Sequence, residues 1–139
     1  MTEKYYIDTL IWRDYYENRK DRFRPLGEWA LDFFKKAIRE NSMIIYSDFV
    51  EDELRKDYNE KQIKDIFSVI DKVSLLRKVE VQQKQFMEAA KLSKERNVPF
   101  GDAVHAIVSR DVGSIIITRN HHFEELQDIV IPKKPEELL

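Results

Sequence analysis

An α/β fold built on a mainly parallel sheet is what this 139-residue sequence predicts. Short apolar runs rich in Ile, Tyr and Val alternate with longer stretches of helical periodicity, the pattern of strand–helix–strand units. No internal repeat, linker or low-complexity block interrupts that alternation. The length, with 42% apolar residues, suits one hydrophobic core. Residues 1–131 are therefore expected to form a single domain, and 132–139, marked by Pro132 and Pro135, a short tail.

Taken in order, residues 5–12 form an apolar run read as a buried strand, with Asp8 at or near its end. A charged helix follows and stops before Pro25, whose ring disfavours helix in the residue before it. Leu26, Ala30, Phe33, Phe34 and Ala37 recur at helical spacing, so 26–40 is a helix with a broad apolar face. Asn41-Ser42 turns the chain into a strand at 43–46. Ser47 or Asp48 caps the next helix, with Glu51 at capping-box distance from Asp48. Asn59 and Gln62 give a second capping signal, followed by the stripe Ile63, Ile66, Phe67 and Ile70. Residues 74–81 alternate weakly and read as a strand, and 82–96 as a helix that ends at Asn97-Val98-Pro99. Asp102 falls at the N-cap or first turn of another helix, near the positive end of its dipole. Gly113-Ser114 breaks the chain before a strand at 115–118. A short helical turn at 124–126 and an edge strand at 128–131 complete the expectation.

The bulk chemistry excludes several function classes. With no cysteine, the chain has no disulfide scaffold, thiolate zinc site or cysteine nucleophile. Gly27, Gly101 and Gly113 stand alone, so there is no glycine-rich phosphate loop. A phospho-receiver would want an acidic pair after the first strand, and Asp8 is followed by Thr9. No apolar run approaches the roughly 18–20 residues of a membrane span, and the first residues lack a secretion-signal pattern; a cytoplasmic protein without a membrane partner is expected. The net charge of −2 provides no global field for a polyanion. One local patch, residues 13–24, interleaves five cationic and three anionic side chains with aromatics. Such mixtures bind RNA; the plainer reading is a solvated helix face laced with ion pairs.

Asp8, Glu53, Asp102 and Asn120 each fall at or soon after the end of a predicted strand or at the start of a helix. In an open parallel sheet those ends converge on the ligand-binding edge. Two carboxylates about 4 Å apart repel by roughly 4 kcal/mol at an effective dielectric of 20, so three together take up protons or a cation. Oxygen-only ligands suit Mg2+ or Mn2+, which can activate water to attack a phosphodiester.

The segments Ile7-Asp8-Thr9, Ser47 to Glu53-Leu54, Phe100-Gly101-Asp102-Ala103-Val104-His105-Ala106 and Thr118-Arg119-Asn120-His121-His122-Phe123 resemble, in order and spacing, the PIN domain family, which includes VapC-type toxin ribonucleases. The resemblance implies a three-layer α/β/α fold and a Mg2+- or Mn2+-dependent endoribonuclease, often a homodimer. It assigns Asp8, Glu53, Asp102 and Asn120 as catalytic and metal-binding positions. Glu53 is preferred to Glu51 because it lies six residues after Ser47 and precedes Leu54. Asn120 departs from the family, which has an acid there; an amide oxygen still coordinates a hard cation but brings no charge. Thr9, Thr118, Arg119 and His122 are expected around these ligands or on substrate; His105, three residues after Asp102, can share its helix face and contact the site, with packing against a neighbouring strand the favoured reading. His121 and His122 are rejected as a zinc pair because adjacent side chains should diverge. The partners implied are RNA, an antitoxin protein that would mask the pocket, and a second copy of the chain, for which the apolar stripes around Phe33, Phe34, Ile63 and Phe67 are candidates. The alternative is a non-catalytic or weakly active PIN-like module binding RNA or protein, favoured by Asn120; the three remaining acids argue for catalysis.

Overall fold

The computed structural model describes residues 2–139. Five strands make one sheet: β1 (Lys4–Ile7), β2 (Met43–Ser47), β3 (Leu76–Val79), β4 (Ile115–Ile117) and β5 (Ile131–Lys133), in the order β3-β2-β1-β4-β5 and parallel throughout. Tyr6 sits in register between Ile45 and Ile116. Tyr6, Ile7, Ile44, Ile45, Ile116 and Ile117 are all 0% exposed. Continuous rather than alternating burial is what a sheet covered on both faces requires.

The covering helices are α1 (Thr9–Tyr16), α2 (Leu26–Arg39), α3 (Asp48–Leu54), α4 (Glu60–Phe67), α5 (Gln83–Arg96) and α6 (Phe100–Asp111). Helix α1 packs on α2 and α4, and α5 packs on α6, giving the α/β/α layering. At the centre of the first layer Trp12 stacks on Phe34 at 4.9 Å and meets the edge of Phe67 at 4.8 Å. Losing such a fully buried indole costs about 3–5 kcal/mol. Among the described residues no helix is long and apolar enough to cross a membrane.

Three expectations change, and the open choice of cap for α3 is resolved. The apolar run 5–12 is strand only to Ile7; Thr9, Ile11 and Trp12 are buried on a helix, and periodicity over so short a run does not separate the two. Helix α1 then stops at Tyr16, far short of Pro25. Asn18 and Arg22 adopt left-handed φ values of 48° and 54°, and Asp21 and Arg24 exchange two backbone hydrogen bonds across a tight turn. The helix α3 cap is Ser47, whose hydroxyl accepts from Val50 N at 3.3 Å; Asp48 accepts from Val81 N and Glu51 pairs with Lys78. The last strand lies at Ile131–Lys133 rather than 128–131. Pro132 is tolerated there because β5 is an edge strand. Residues 132–139 thus supply two strand residues and a 3-10 turn (Pro135–Leu138) that docks on α2, where Lys36 Nζ donates to Leu138 O at 2.6 Å.

Gly27 allows α1, its following loop and α2 to meet closely. A Cβ there would stand 2.5 Å from Asn18 Cα and 2.6 Å from Asp14 O. Both neighbours are backbone, so neither can swing away.

Candidate active site

In the strand order β3-β2-β1-β4-β5 the direction of winding reverses between β1 and β4, and the crevice at their carboxyl ends is where such sheets bind ligands. Asp8 leaves β1 and Thr118 leaves β4 at that point. Asp8 has the backbone of an N-cap residue for α1, yet its side chain makes no cap hydrogen bond. Instead Thr118 Oγ1 donates to Asp8 Oδ2 at 2.8 Å. The carboxylate is only 4% exposed, and burial is the main force raising its pKa above the ordinary value, with His105 and Thr118 opposing.

Helix α3 brings in Glu53, held from behind by Arg13, which donates to Glu53 O at 2.8 Å and pairs with Asp57 at 3.1 Å. Thr9 Oγ1 donates to Glu53 Oε1 at 2.6 Å. His105 Nε2 lies 2.6 Å from the same oxygen and 3.9 Å from Asp8 Oδ1. A carboxylate without a proton only accepts, so the imidazole proton sits on Nε2. His105 Nδ1 is 2.7 Å from the Tyr6 hydroxyl, which is 2.7 Å from Ser47 Oγ. Burial alone would raise the Glu53 pKa, but the hydrogen bond and charge of His105, with Thr9 and Arg13, hold it below the ordinary value. The converse holds for His105: burial works against its charge, and Glu53 and Asp8 outweigh it to raise its pKa.

Asp102 lies in the first turn of α6. Its Oδ2 accepts from Asn120 Nδ2 at 3.0 Å and from His122 Nδ1 at 3.1 Å. Its pKa is raised, by burial first and by the charge of Asp8 second. Asn120 in turn caps the 3-10 turn His121–Leu126, its Oδ1 accepting from His122 N at 3.0 Å. The Asn120 backbone N donates to Thr118 Oγ1 at 3.1 Å, so Thr118 links the Asp8 and Asp102 halves of the site.

The four residues singled out from the sequence therefore meet at one crevice. Glu53 faces it, whereas Glu51 is tied to Lys78. Thr9 and Thr118 orient carboxylates, and His122 contacts Asp102. Arg119 is held aside: it makes a two-pronged pair with Glu136 at 2.8 and 2.9 Å, approaches Asp14 at 3.7 Å and lies over the Trp29 ring. His105 does not merely pack, as expected; it bridges Tyr6 to Glu53 from a site only 1% exposed. Its spacing three residues beyond Asp102 was the one local signal for it. Tyr6 had no signal at all. His121 and His122 do not diverge either; their rings lie 4.2 Å apart, though only His122 bonds Asp102.

Among the described residues no group of three or more Asp, Glu, His or Cys side chains stands ready to hold a metal ion as placed. Protein donors close the network instead. The donor chemistry still fits a hard divalent cation: three carboxylates share one field, since Asp8 raises Asp102 and Glu53 raises Asp8. A cation would relieve that repulsion.

A parallel α/β/α fold with carboxylates gathered at the winding reversal is an arrangement suited to a hard cation at the ligand-binding edge of the sheet. The PIN domain family model matches residues 5–129, and the chain belongs to that family, one of nucleases that generally use divalent metals. No curated protein matches it in sequence. Solved structures share the fold at low identity. VapBC2 from Rickettsia felis bound to a DNA fragment from its promoter matches at TM-score 0.68 and 16% identity, covering 94% of this chain and 98% of that one. FitAcB from Neisseria gonorrhoeae matches at 0.62 and 14%, covering 95% and 98%. PAE2754 from Pyrobaculum aerophilum matches at 0.56 and 15%, covering 99% and 95%.

Proposed function

We propose that this protein is a Mg2+- or Mn2+-dependent endoribonuclease, the toxin of a toxin–antitoxin pair. The observation that carries the reading is the buried Asp8, joined through His105 to Glu53 and through Thr118 and Asn120 to Asp102. Asp8, Glu53 and Asp102 would hold the ion, with Asn120 offering an uncharged oxygen beside them. When bound, such an ion stabilises charge on the phosphoryl oxygens and makes water a better nucleophile at neutral pH. The chain's own work is positioning. Thr118 fixes the rotamer of Asp8, Thr9 and His105 fix Glu53, and His122 holds Asp102. A carboxylate set wrongly by 1 Å costs orders of magnitude in rate, so these neighbours matter as much as the ligands.

The antitoxin partner is supported by the likeness to a toxin–antitoxin complex from Klebsiella pneumoniae, which matches at TM-score 0.59 and 18% identity and covers 94% of this chain and 96% of that one. An arginine delivered to the crevice would replace the cation's charge through two parallel hydrogen bonds. A homodimer belongs to the same proposal, but not through the stripes of Phe33, Phe34, Ile63 and Phe67: those side chains are buried in the chain's own core, packed between α1, α2 and α4. Manganese-dependent cleavage of RNA by wild-type protein, lost in a folded Asp8→Asn variant, is the expected result. Equal cleavage by that variant would assign the activity elsewhere.

A second reading is a non-catalytic module that binds RNA or protein. Asn120 favours it: the amide donates to Asp102 where an acid would repel it, closing the network without a cation. Absence of cleavage in Mn2+, with RNA binding retained, would select it.

A further inference from the structure

The turn at residues 21–24 has no part in the carboxylate network, yet it presents Phe23 at 99% exposure, the most exposed large apolar side chain among the described residues. Backbone hydrogen bonds in both directions between Asp21 and Arg24 make the turn tight, and Arg22 takes a left-handed φ of 54° without being glycine. The Arg24 guanidinium also pairs with the Asp21 carboxylate. The phenyl ring is therefore displayed from a fixed base, flanked by Arg22 and Arg24.

That base opens on a cleft of about 670 Å3 whose lining joins Asp21 and Arg24 of the turn to Arg119, Lys134 and Asn120, the last of which also bonds Asp102 in the catalytic crevice. Five cations and two carboxylates line it. Both carboxylates are engaged internally: Asp14 with Arg19 and Arg119, Asp21 with Arg24. Lys20 and Lys134 are exposed and have no ion-pair partner among the described residues. A second cleft of about 320 Å3 shares Arg119, Asn120 and Lys134 and adds Lys133, together with the carboxylates of Glu124 and Glu137, the latter paired with Lys133. The first cleft is thus cationic where it is free to bind, and Phe23 stands on the turn that helps to line it. Cationic grooves with aromatic platforms are how proteins hold single-stranded nucleic acid without reading its sequence. A protein partner would be expected to bury an exposed phenyl among other apolar groups, and here the residues on either side of it in the chain are Arg22 and Arg24.

We propose that the cleft is the path by which single-stranded RNA reaches the carboxylate centre, with Phe23 stacking on a base and Lys20 and Lys134 on phosphates. The inference rests on the nuclease reading for the identity of its ligand. In the full chain carrying Asp8→Asn, with Mg2+ present, a fluorescein-labelled, unstructured oligoribonucleotide of mixed sequence is the probe. Phe23→Ala is expected to weaken binding roughly 5- to 100-fold with no change in melting temperature, because the ring touches nothing that stabilises the fold. Phe23→Trp should restore affinity and show indole quenching on titration with RNA. The double variant Lys20→Gln, Lys134→Gln should flatten the dependence of log affinity on log salt by about 1.4, where Phe23→Ala leaves that slope unchanged. Unaltered affinity in Phe23→Ala, or an indole blind to RNA, overturns the proposal; so does a ring whose removal only disperses oligomers in sedimentation. Phe23-dependent binding by a wild-type protein that never cuts RNA would sink the proposed function and leave this inference intact. Cleavage by a protein whose affinity ignores Phe23 would do the reverse.

Discussion

Replacing His105 by Ala tests whether the imidazole holds the carboxylates together or only fills space. The ring is 1% exposed and joins Tyr6 to Glu53. Neither partner is left wholly unpaired, since Tyr6 keeps Ser47 and Glu53 keeps Thr9. Losing the bond to Tyr6 costs about 0.5–1.5 kcal/mol, and losing the one to a carboxylate about 1.5–3. With the void of a missing ring, the loss comes to about 3–5 kcal/mol, or roughly 10–17 °C in melting temperature for a chain of this size. The assay is thermal unfolding in chelator, so that no cation substitutes for the lost charge. The pH dependence separates the two roles. Because the folded pKa of His105 is raised above its unfolded value, its charge contributes fully below about pH 6.5 and fades as pH climbs through the folded value. The cost of His105→Ala should therefore be greater at about pH 6 than at about pH 9. A cost under about 1 kcal/mol, or one equal at both pH values, would refute the bridging role and leave only packing.

Asp8→Asn should raise the melting temperature of metal-free protein at neutral pH, because it replaces a buried carboxylate whose raised pKa marks an unfavourable charge. The gain should shrink as pH falls toward the folded pKa, where Asp8 is already protonated, and calorimetry against pH follows it. Asn120→Asp should tighten Mn2+ binding in titration calorimetry while lowering metal-free stability by about 1–3 kcal/mol through repulsion from Asp102. Unchanged or weaker binding would count against Asn120 lying in the metal site. Gly27→Ala should destabilise by about 1–3 kcal/mol in denaturant titrations, since its Cβ meets backbone of the α1–α2 loop. In Arg110→Ala, which breaks the exposed pair with Glu88, the change should stay under about 1 kcal/mol.

What could be read from the sequence was local or was spaced by the sheet. The Asn59–Gln62 capping box appears with both hydrogen bonds, because its partners lie three residues apart. The convergence of Asp8, Glu53, Asp102 and Asn120 followed from strand alternation together with the family pattern. Helix α1 was obscured because Leu10-Ile11-Trp12 resumes the apolar run after only two residues beyond Ile7, and the packing of Trp12 on Phe34 settles its geometry. The last strand was misplaced because Pro132 argues against a strand except at an edge, and edges are a property of the whole sheet. His105 and Tyr6 stand 99 residues apart, and the bond that joins them exists only once β1 and α6 are assembled. Asn120 was expected as a weak ligand; its bonds to Asp102 and to His122 N also make it a structural hinge pin between α6 and the turn His121–Leu126.

The two outermost strands carry one more consequence. On β5 the ring of Pro132 removes a backbone donor, with Lys133 beside it, and on β3 the exposed pair Arg77 and Lys78 places like charge along the rim. Edges of this kind resist pairing with a strand from another molecule. The sheet is thus closed to growth by β-augmentation from either side. The residues on those two rims guard the chain against fibrous self-assembly at its sheet edges.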